Sequence, residues 1–126
     1  MFFNIMKEEI ERWFKSGKED LRKAKDNLEI GNYDLTSFLC QQAVEKILKA
    51  ILIKKTNKFP KIHDLVMLGK LAGIEEDLLK DCEKLTLVYT ETRYPDVSTR
   101  KYNKKESEED INLAEKIIKW VAKNLS

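Results

Sequence analysis

Polar residues recur on one face of a segment that is otherwise apolar, QQAVEKILKA. Gln41, Glu45 and Lys49 follow one another every four residues, so on a helix they stack along one face, and Gln42 lies beside them. A solvated helix face closed by a surface ion pair has this pattern and stabilises a protein by only a few tenths of a kcal/mol. A polar row that faces a groove would instead bind a phosphate, a nucleobase or a partner backbone. The sequence leaves both interpretations open.

Two further polar pairs stand where predicted helices begin or end. His63 and Asp64 start a short helix, where Asp64 can cap exposed amides. We expect His63 to form a structural hydrogen bond to a neighbouring helix end rather than to act in catalysis. Arg93 and Tyr94 precede Pro95, which stops a helix. An arginine fork beside an aromatic ring suits a phosphate or a stacked base, and a helix C-cap accounts for the same residues equally well.

Two basic loops form one candidate patch for RNA if the fold brings them together, and Phe59 and Tyr102 would supply stacking rings. The chain carries 24 Lys+Arg against 22 Asp+Glu, a net charge of +2, so coating of nucleic acid by the whole surface is excluded. Such loops are more often simply solvated. The basic residues of the candidate patch are Lys54, Lys55, Lys58, Lys61, Arg100 and Lys101.

Several classes of site are excluded by residue counts and missing motifs. One histidine rules out HExxH and Cys₂His₂ zinc sites, and the sequence contains no GxGxxG, GxxxxGK[ST] or GxSxG motif. Cys40 and Cys82 fall on apolar stripes far apart in the chain, which predicts buried, reduced thiols rather than a disulfide framework. We therefore expect neither a metal nor a cofactor.

The elements that position these residues are predicted to be long helices. A chain of 126 residues with 42% apolar and 37% charged residues, 4 Gly and 2 Pro has the length of one domain, spanning residues 1–126, and few helix breakers. Apolar residues at helical spacing predict an all-α fold, an antiparallel up-and-down bundle of four long helices plus one short helix. The predicted helices span residues 6–28, 35–55 after an Asp34 N-cap, 64–72 closed by Gly73, 74–93, and a last helix that opens on a capping box of Ser107 and Asp110 and runs to 125.

The sequence also bears on location and assembly. The N-terminus lacks the pattern of a secretion signal, and no window approaches the roughly 20 apolar residues of a membrane span, so we expect a cytoplasmic protein that does not enter a membrane. Large apolar side chains exceed what one small bundle readily hides, which suggests a homodimer interface. These side chains are Phe2, Phe3, Trp13, Phe14 and Trp120.

The order of four segments resembles the HEPN domain family (higher eukaryotes and prokaryotes nucleotide-binding domain). The segments are KEDLRKAKDNLEIGNYD, SFLCQQAVEKILKAIL, KIHDL and TETRYPD, and the resemblance extends from about residue 10 to 124. It implies a bundle of four or five helices, usually homodimeric, with a polar cleft at the dimer interface. It also implies a bacterial or archaeal gene beside one for a small nucleotidyltransferase, as in toxin–antitoxin pairs.

Many members of this family resemble metal-independent ribonucleases with an arginine, a polar residue and a histidine four to six positions after it. Here Arg93 matches the arginine, but Tyr94 replaces the polar residue and no histidine follows. The group that would transfer a proton at the RNA backbone is therefore missing. The first hypothesis is a non-catalytic homodimer that binds a nucleotide, a nucleic acid or a nucleotidyltransferase partner. The alternative is a divergent toxin-type ribonuclease that uses Arg93 with His63 or Tyr102.

Overall fold

Long amphipathic segments with few breakers form helices in the part of the chain that the computed structural model describes. It describes residues 2–93 and 102–125, and side chains within 6–88 and 102–125. The all-α prediction is confirmed. The helices are α1 (Phe2–Glu29), α2 (Tyr33–Thr56), α3 (Leu65–Ala72), α4 (Glu76–Arg93) and α5 (Lys104–Leu125).

The four long helices alternate in direction, as predicted for an up-and-down bundle. α2 runs antiparallel to α1 and parallel to α5, because Ser37 meets Ser107 at one end of the α2–α5 pair and Lys54 meets Leu125 at the other. α4 runs opposite to α5, because the Lys84 Nζ lies 2.8 Å from a Glu109 carboxylate oxygen near the start of α5, whereas Asp81, earlier on α4, faces Lys116 further along α5. α2 contacts all four of the other helices and contributes much of the buried apolar core. Its polar residues must therefore face a neighbouring element.

A close approach between α1 and α2 fixes the register of the two helices. A Cβ atom at Gly17 would stand 2.7 Å from Cγ1 of Ile47 and 2.9 Å from the backbone oxygen of Ala43. Glycine in the interior of a helix costs about 1 kcal/mol relative to alanine, so its presence here reflects the space that it leaves for α2. Trp13 lies one turn before Gly17 and consequently reaches the turn of α2 that carries Lys49.

Two predicted helix starts were wrong. α2 begins at Tyr33 after Asn32, and Asp34 lies inside its first turn instead of serving as the N-cap. α5 begins at Lys104, three residues before the predicted capping box, because the Asn103 side chain accepts a hydrogen bond from the Glu106 amide.

The two residues of the predicted box lie buried within α5. The Ser107 hydroxyl donates to the Tyr33 carbonyl at 2.8 Å and lies 3.2 Å from the Ser37 hydroxyl, and Asp110 Oδ1 lies 3.9 Å from the Lys84 Nζ. A polar pattern at helix-start spacing thus marks polar contacts of α5 with α2 and with α4. The chain segment alone does not distinguish the two.

Both thiols are buried and free, as predicted. Burial raises the pKa of Cys82 to about 12, and burial together with the carboxylates of Asp110 and Glu115 raises the pKa of Cys40 still further. Both thiols therefore stay protonated in the folded protein at neutral pH. Among the described helices, none is both long enough and apolar enough to cross a membrane.

Candidate functional site

The segment between α2 and α3, residues 57–64, runs back along α2 as an irregular strap. It leaves the end of α2 at Asn57, which adopts the left-handed conformation with φ 58°, and its far end places His63 beside Glu45, three turns earlier on α2. α3 then returns toward the end of α2, where the Lys55 ammonium donates to the Ala72 carbonyl. The strap therefore covers the face of α2 that carries the polar row.

Glu45 lies at the centre of a connected polar network under the strap. One of its carboxylate oxygens accepts a hydrogen bond from the Lys49 ammonium at 3.0 Å and lies 3.1 Å from His63 Nδ1. The other lies 3.4 Å from the Gln41 amide nitrogen, and Gln42 in turn donates to the Gln41 oxygen at 2.7 Å. Four side chains of α2 and one of the strap thus form a single hydrogen-bonded chain.

The polar row is buried, so the interpretation as a solvated helix face closed by a surface ion pair is wrong. Only 4% of the Lys49 side chain and 9% of the Glu45 side chain are exposed, whereas 71% of the His63 side chain is exposed. Removing two charges from water costs several kcal/mol per ion unless each is paired and hydrogen-bonded. The Glu45 carboxylate satisfies this condition for Lys49, and His63 connects the buried pair to solvent.

Two aromatic rings cover the Lys49 ammonium. Its nitrogen lies 5.8 Å from the centroid of the Trp13 ring and 5.4 Å from that of Phe59, within the range of a cation–π interaction. The two rings contact each other, with centroids 4.9 Å apart and planes tilted by 42°. Trp13 belongs to α1 and Phe59 to the strap, so the cover joins two elements across Lys49.

The sequence did not associate Trp13 with the polar row. Its type suggested a dimer interface, and Phe59 was expected to supply a stacking ring for RNA beside the basic loops. The sequence does not show the register of α1 against α2, which decides what Trp13 contacts. Gly17 sets this register by its close approach to Ala43 and Ile47. A glycine on an apolar helical stripe was the available signal, because it marks where two helices come closest.

His63 and Asp64 have separate roles at the start of α3. The Asp64 side chain accepts hydrogen bonds from the amides of Val66 and Met67 and so forms the predicted N-cap. His63 was expected to contact a neighbouring helix end; it instead contacts the Glu45 side chain in the interior of α2.

The end of α4 lies on the same side of the bundle as the polar network. The Leu65 amide at the start of α3 donates to the Thr86 hydroxyl on α4 at 3.1 Å. Because a helix rises about 1.5 Å per residue, the backbone of Arg93 lies about 10 Å beyond Thr86, past the start of α3 where His63 stands. The side chain of Arg93 and the whole of Tyr94 lie outside the described residues.

The predicted basic patch is divided among different surroundings. Lys54 and Lys55 belong to the last turn of α2, where their ammonium groups donate to the terminal carbonyls of α5 and α3. Lys58 and Lys61 are exposed on the strap beside Phe59. Arg100 and Lys101 lie outside the described residues, so a single patch that includes them stays a prediction.

An apolar groove of about 630 Å³ lies at the end of the bundle where α1 begins and α2 and α5 end. Four of its lining residues are apolar, Met6, Ile10, Phe14 and Leu125, and the remaining four are Lys7, Glu11, Lys54 and Asn57. Within the described residues, no three His, Cys, Asp or Glu side chains are grouped so as to hold a metal ion.

Comparison with known proteins relates this chain and its fold to one family. The model of the HEPN domain matches residues 10–125. A crystal structure of a protein from Thermus thermophilus has a TM-score of 0.82 and 30% identity, covering 90% of this chain and 96% of that one. An archaeal HEPN homologue has a TM-score of 0.79 and 31% identity, covering 93% and 98% of the two chains. A HEPN domain protein from Thermotoga maritima has a TM-score of 0.71 and 28% identity, covering 90% and 97%. No curated protein matches the sequence.

Proposed function

Because the chain belongs to the HEPN domain family, we propose that it is a non-catalytic, homodimeric binding module for a nucleotide or a nucleic acid. A small nucleotidyltransferase, as in toxin–antitoxin pairs, is the partner with which such a module would act. The observation that carries the proposal is the position of the sequence's one histidine. His63 lies against the buried Glu45 carboxylate on the strap, and no histidine follows Arg93.

The exposed groups around the network favour a ligand that has both a ring and phosphates. Phe59 is 43% exposed and contacts Trp13, and exposed Lys58 and Lys61 flank it on the strap. A ring such as that of Trp13 stacks on a base and lysines neutralise phosphates, which is the usual combination in proteins that bind single strands or nucleotides. This combination supports a nucleotide as the ligand over a purely apolar peptide.

The first experiment measures binding and cleavage on the same preparation. We expect ATP or oligoadenylate to bind the purified protein, with an affinity that falls as salt increases, and RNA incubated with it in EDTA to remain intact. Arg93→Ala should weaken binding, whereas Lys104→Ala, at an exposed position on α5, should leave it unchanged. A protein that binds neither a nucleotide nor a small nucleotidyltransferase would contradict the proposal.

The second candidate is the divergent ribonuclease, and one geometric observation favours it. His63 is largely exposed and lies on the side of the bundle toward which the end of α4 points, and Glu45 can hold its ring in one orientation. Tyr102, the other candidate partner of Arg93, packs against the core at the start of α5. This function requires cleavage in EDTA that is lost in Arg93→Ala and in either His63→Ala or Tyr102→Phe. Cleavage that survives all of these substitutions would contradict it.

A further inference from the structure

The strap is attached to the bundle almost entirely by side chains. Residues 59–62 make no hydrogen bond with any other residue that the structure describes. What holds this stretch is the Phe59 ring on Trp13, Ile62 packed against the core, and the contact of His63 with Glu45. A segment with so few backbone bonds opens locally at a low free energy compared with the helices on either side.

The Phe59 ring is the outermost part of the Lys49 cover. It is 43% exposed, and its removal would uncover the Trp13 ring and the ammonium that lies 5.8 Å from it. An indole ring beside an ammonium is a surface on which a flat aromatic ring stacks well. In the closed structure Phe59 itself supplies that ring.

We propose that Phe59 occupies on Trp13 the place that the base of a bound nucleotide takes, so that the strap is a gate that the ligand must open. The proposal rests on the proposed function, since it names how the same site receives its ligand. Phe59 competes with the base, and Lys58 and Lys61 on the displaced strap remain near the phosphates. The part of the polar network that lies on α2 stays formed when the strap opens, because Glu45 holds Lys49 from within the same helix.

The direction in which one substitution changes the affinity for ATP tests the gate. In Phe59→Ala the competitor is absent, and we expect ATP to bind roughly two- to tenfold more tightly by calorimetry, the range that corresponds to an aromatic pair. Ile30→Ala, an exposed apolar residue at the α1–α2 turn, is the matched control and should not change the affinity. Inorganic triphosphate, which has no base, should bind the variant and the parent equally.

A second measurement follows the gate through the fluorescence of Trp13, first without and then with ATP. In a Trp120→Phe background Trp13 is the one remaining tryptophan, and acrylamide should quench its fluorescence more strongly after Phe59→Ala. ATP bound to the parent with Phe59 intact should protect Trp13 from the quencher.

Two outcomes would contradict the gate, and they differ in whether the proposed binding function remains. If ATP binds the parent and Phe59→Ala binds it equally or more weakly, Phe59 is no competitor, and the binding module remains. If ATP and oligoadenylate bind neither protein, the gate and the nucleotide as ligand fail together. Tighter binding by Phe59→Ala with protection of Trp13 supports the gate.

Discussion

Glu45 is the residue on which the candidate site depends. Its carboxylate meets Lys49, His63 and Gln41, and it thereby connects the interior of α2 to the strap. A buried ion pair contributes little net stability compared with apolar residues of the same shape, but the loss of one partner leaves a buried charge without its counterion. The closed position of the strap therefore depends on the Glu45 carboxylate.

This dependence predicts the result of a double-mutant cycle. Lys49→Met keeps most of the side-chain volume but removes the charge, which leaves the Glu45 carboxylate without its counterion. Urea denaturation should show a free energy of unfolding that is lower by about 3 kcal/mol. Adding Glu45→Gln should cost less than the sum of the two single changes, with a coupling of about 0.5–3 kcal/mol.

The matched control is an exposed pair at the same spacing. Lys104 and Glu108 lie 3.9 Å apart with 70% and 48% of their side chains exposed. Lys104→Met should change the free energy of unfolding by no more than about 0.5 kcal/mol. Equal effects at Lys49 and Lys104 would show that burial does not matter here.

The two thiols predict how stability changes at alkaline pH. A cysteine in the unfolded chain has a pKa of about 8.5, whereas that of Cys82 in the folded chain is about 12 and that of Cys40 is higher still. Above pH 8.5 the unfolded state loses thiol protons that the folded state keeps, so the free energy of unfolding falls as pH rises toward the folded pKa. Between pH 8 and 10 the loss should be about 1–2 kcal/mol per thiol.

Urea denaturation at several pH values measures this slope. A Cys40→Ala, Cys82→Ala variant should start from a lower stability at pH 7 and decline less steeply. A slope identical to that of the parent would mean that the thiols ionise equally in both states.

At the scale of elements, the contact between α1 and α2 predicts a difference between two glycines. Gly17→Ala places a Cβ 2.9 Å from the Ala43 backbone oxygen, which cannot move without shifting α2. Gly69→Ala meets only side-chain ends, those of Ile74 and Leu79. Alanine favours a helix by about 1 kcal/mol at both positions. We expect a net destabilisation of about 1–3 kcal/mol for Gly17→Ala and a smaller effect, of either sign, for Gly69→Ala.

Thermal unfolding of both variants tests this difference, and the packing of α1 gives a second readout. Gly17→Ala should also raise the quenching of Trp13, because the shift of α1 loosens the cover over Lys49. A larger loss of stability in Gly69→Ala would place the critical contact between α3 and α4 instead.

Sequence patterns predicted elements better than they predicted the site. Apolar stripes and the glycines at 31 and 73 located the helices, because both act within a few residues of chain. Gln41, Glu45 and Lys49 were recognised as a row, but their burial depends on a strap that returns across three turns of α2. Ser107 resembled a cap by its spacing from Asp110. Its actual contact, with Ser37, joins positions 70 residues apart and leaves no local pattern in the sequence. Local spacing carries no information about such pairings.

At the scale of the whole molecule, the distribution of charge decides where a ligand can bind. The net charge of +2 produces no general attraction to nucleic acid, so binding must come from a local arrangement. Two of the candidate lysines, Lys54 and Lys55, already cap the ends of α5 and α3. The strap, with Lys58 and Lys61, is therefore the basic surface among the described residues that is best placed beside the network.

If the proposed homodimer forms, the apolar groove beside the Asn57 end of the strap is the face that we expect it to use. Met6, Ile10 and Phe14 form a stripe along α1, and Lys7 and Glu11 border it. Across a two-fold axis, Lys7 of each copy would face Glu11 of the other, so the border is complementary to itself while the stripe is covered.

Ile10→Glu should therefore convert the proposed dimer to a monomer, because a charge in the groove would have to be buried without a partner. Size-exclusion chromatography with light scattering measures the mass, and Ile30→Glu, an equally apolar and more exposed position at the α1–α2 turn, is the control that should remain dimeric. Unchanged helical circular dichroism in Ile10→Glu would show that the groove serves association and not folding. A parent protein that is monomeric at micromolar concentration would contradict the homodimer itself, whereas a dimeric Ile10→Glu would move the interface to another face.

The groove and Trp13, which belongs to the Lys49 cover, lie on the same helix one to two turns apart. The monomeric variant should therefore also bind ATP more weakly if dimer contacts hold α1 in place.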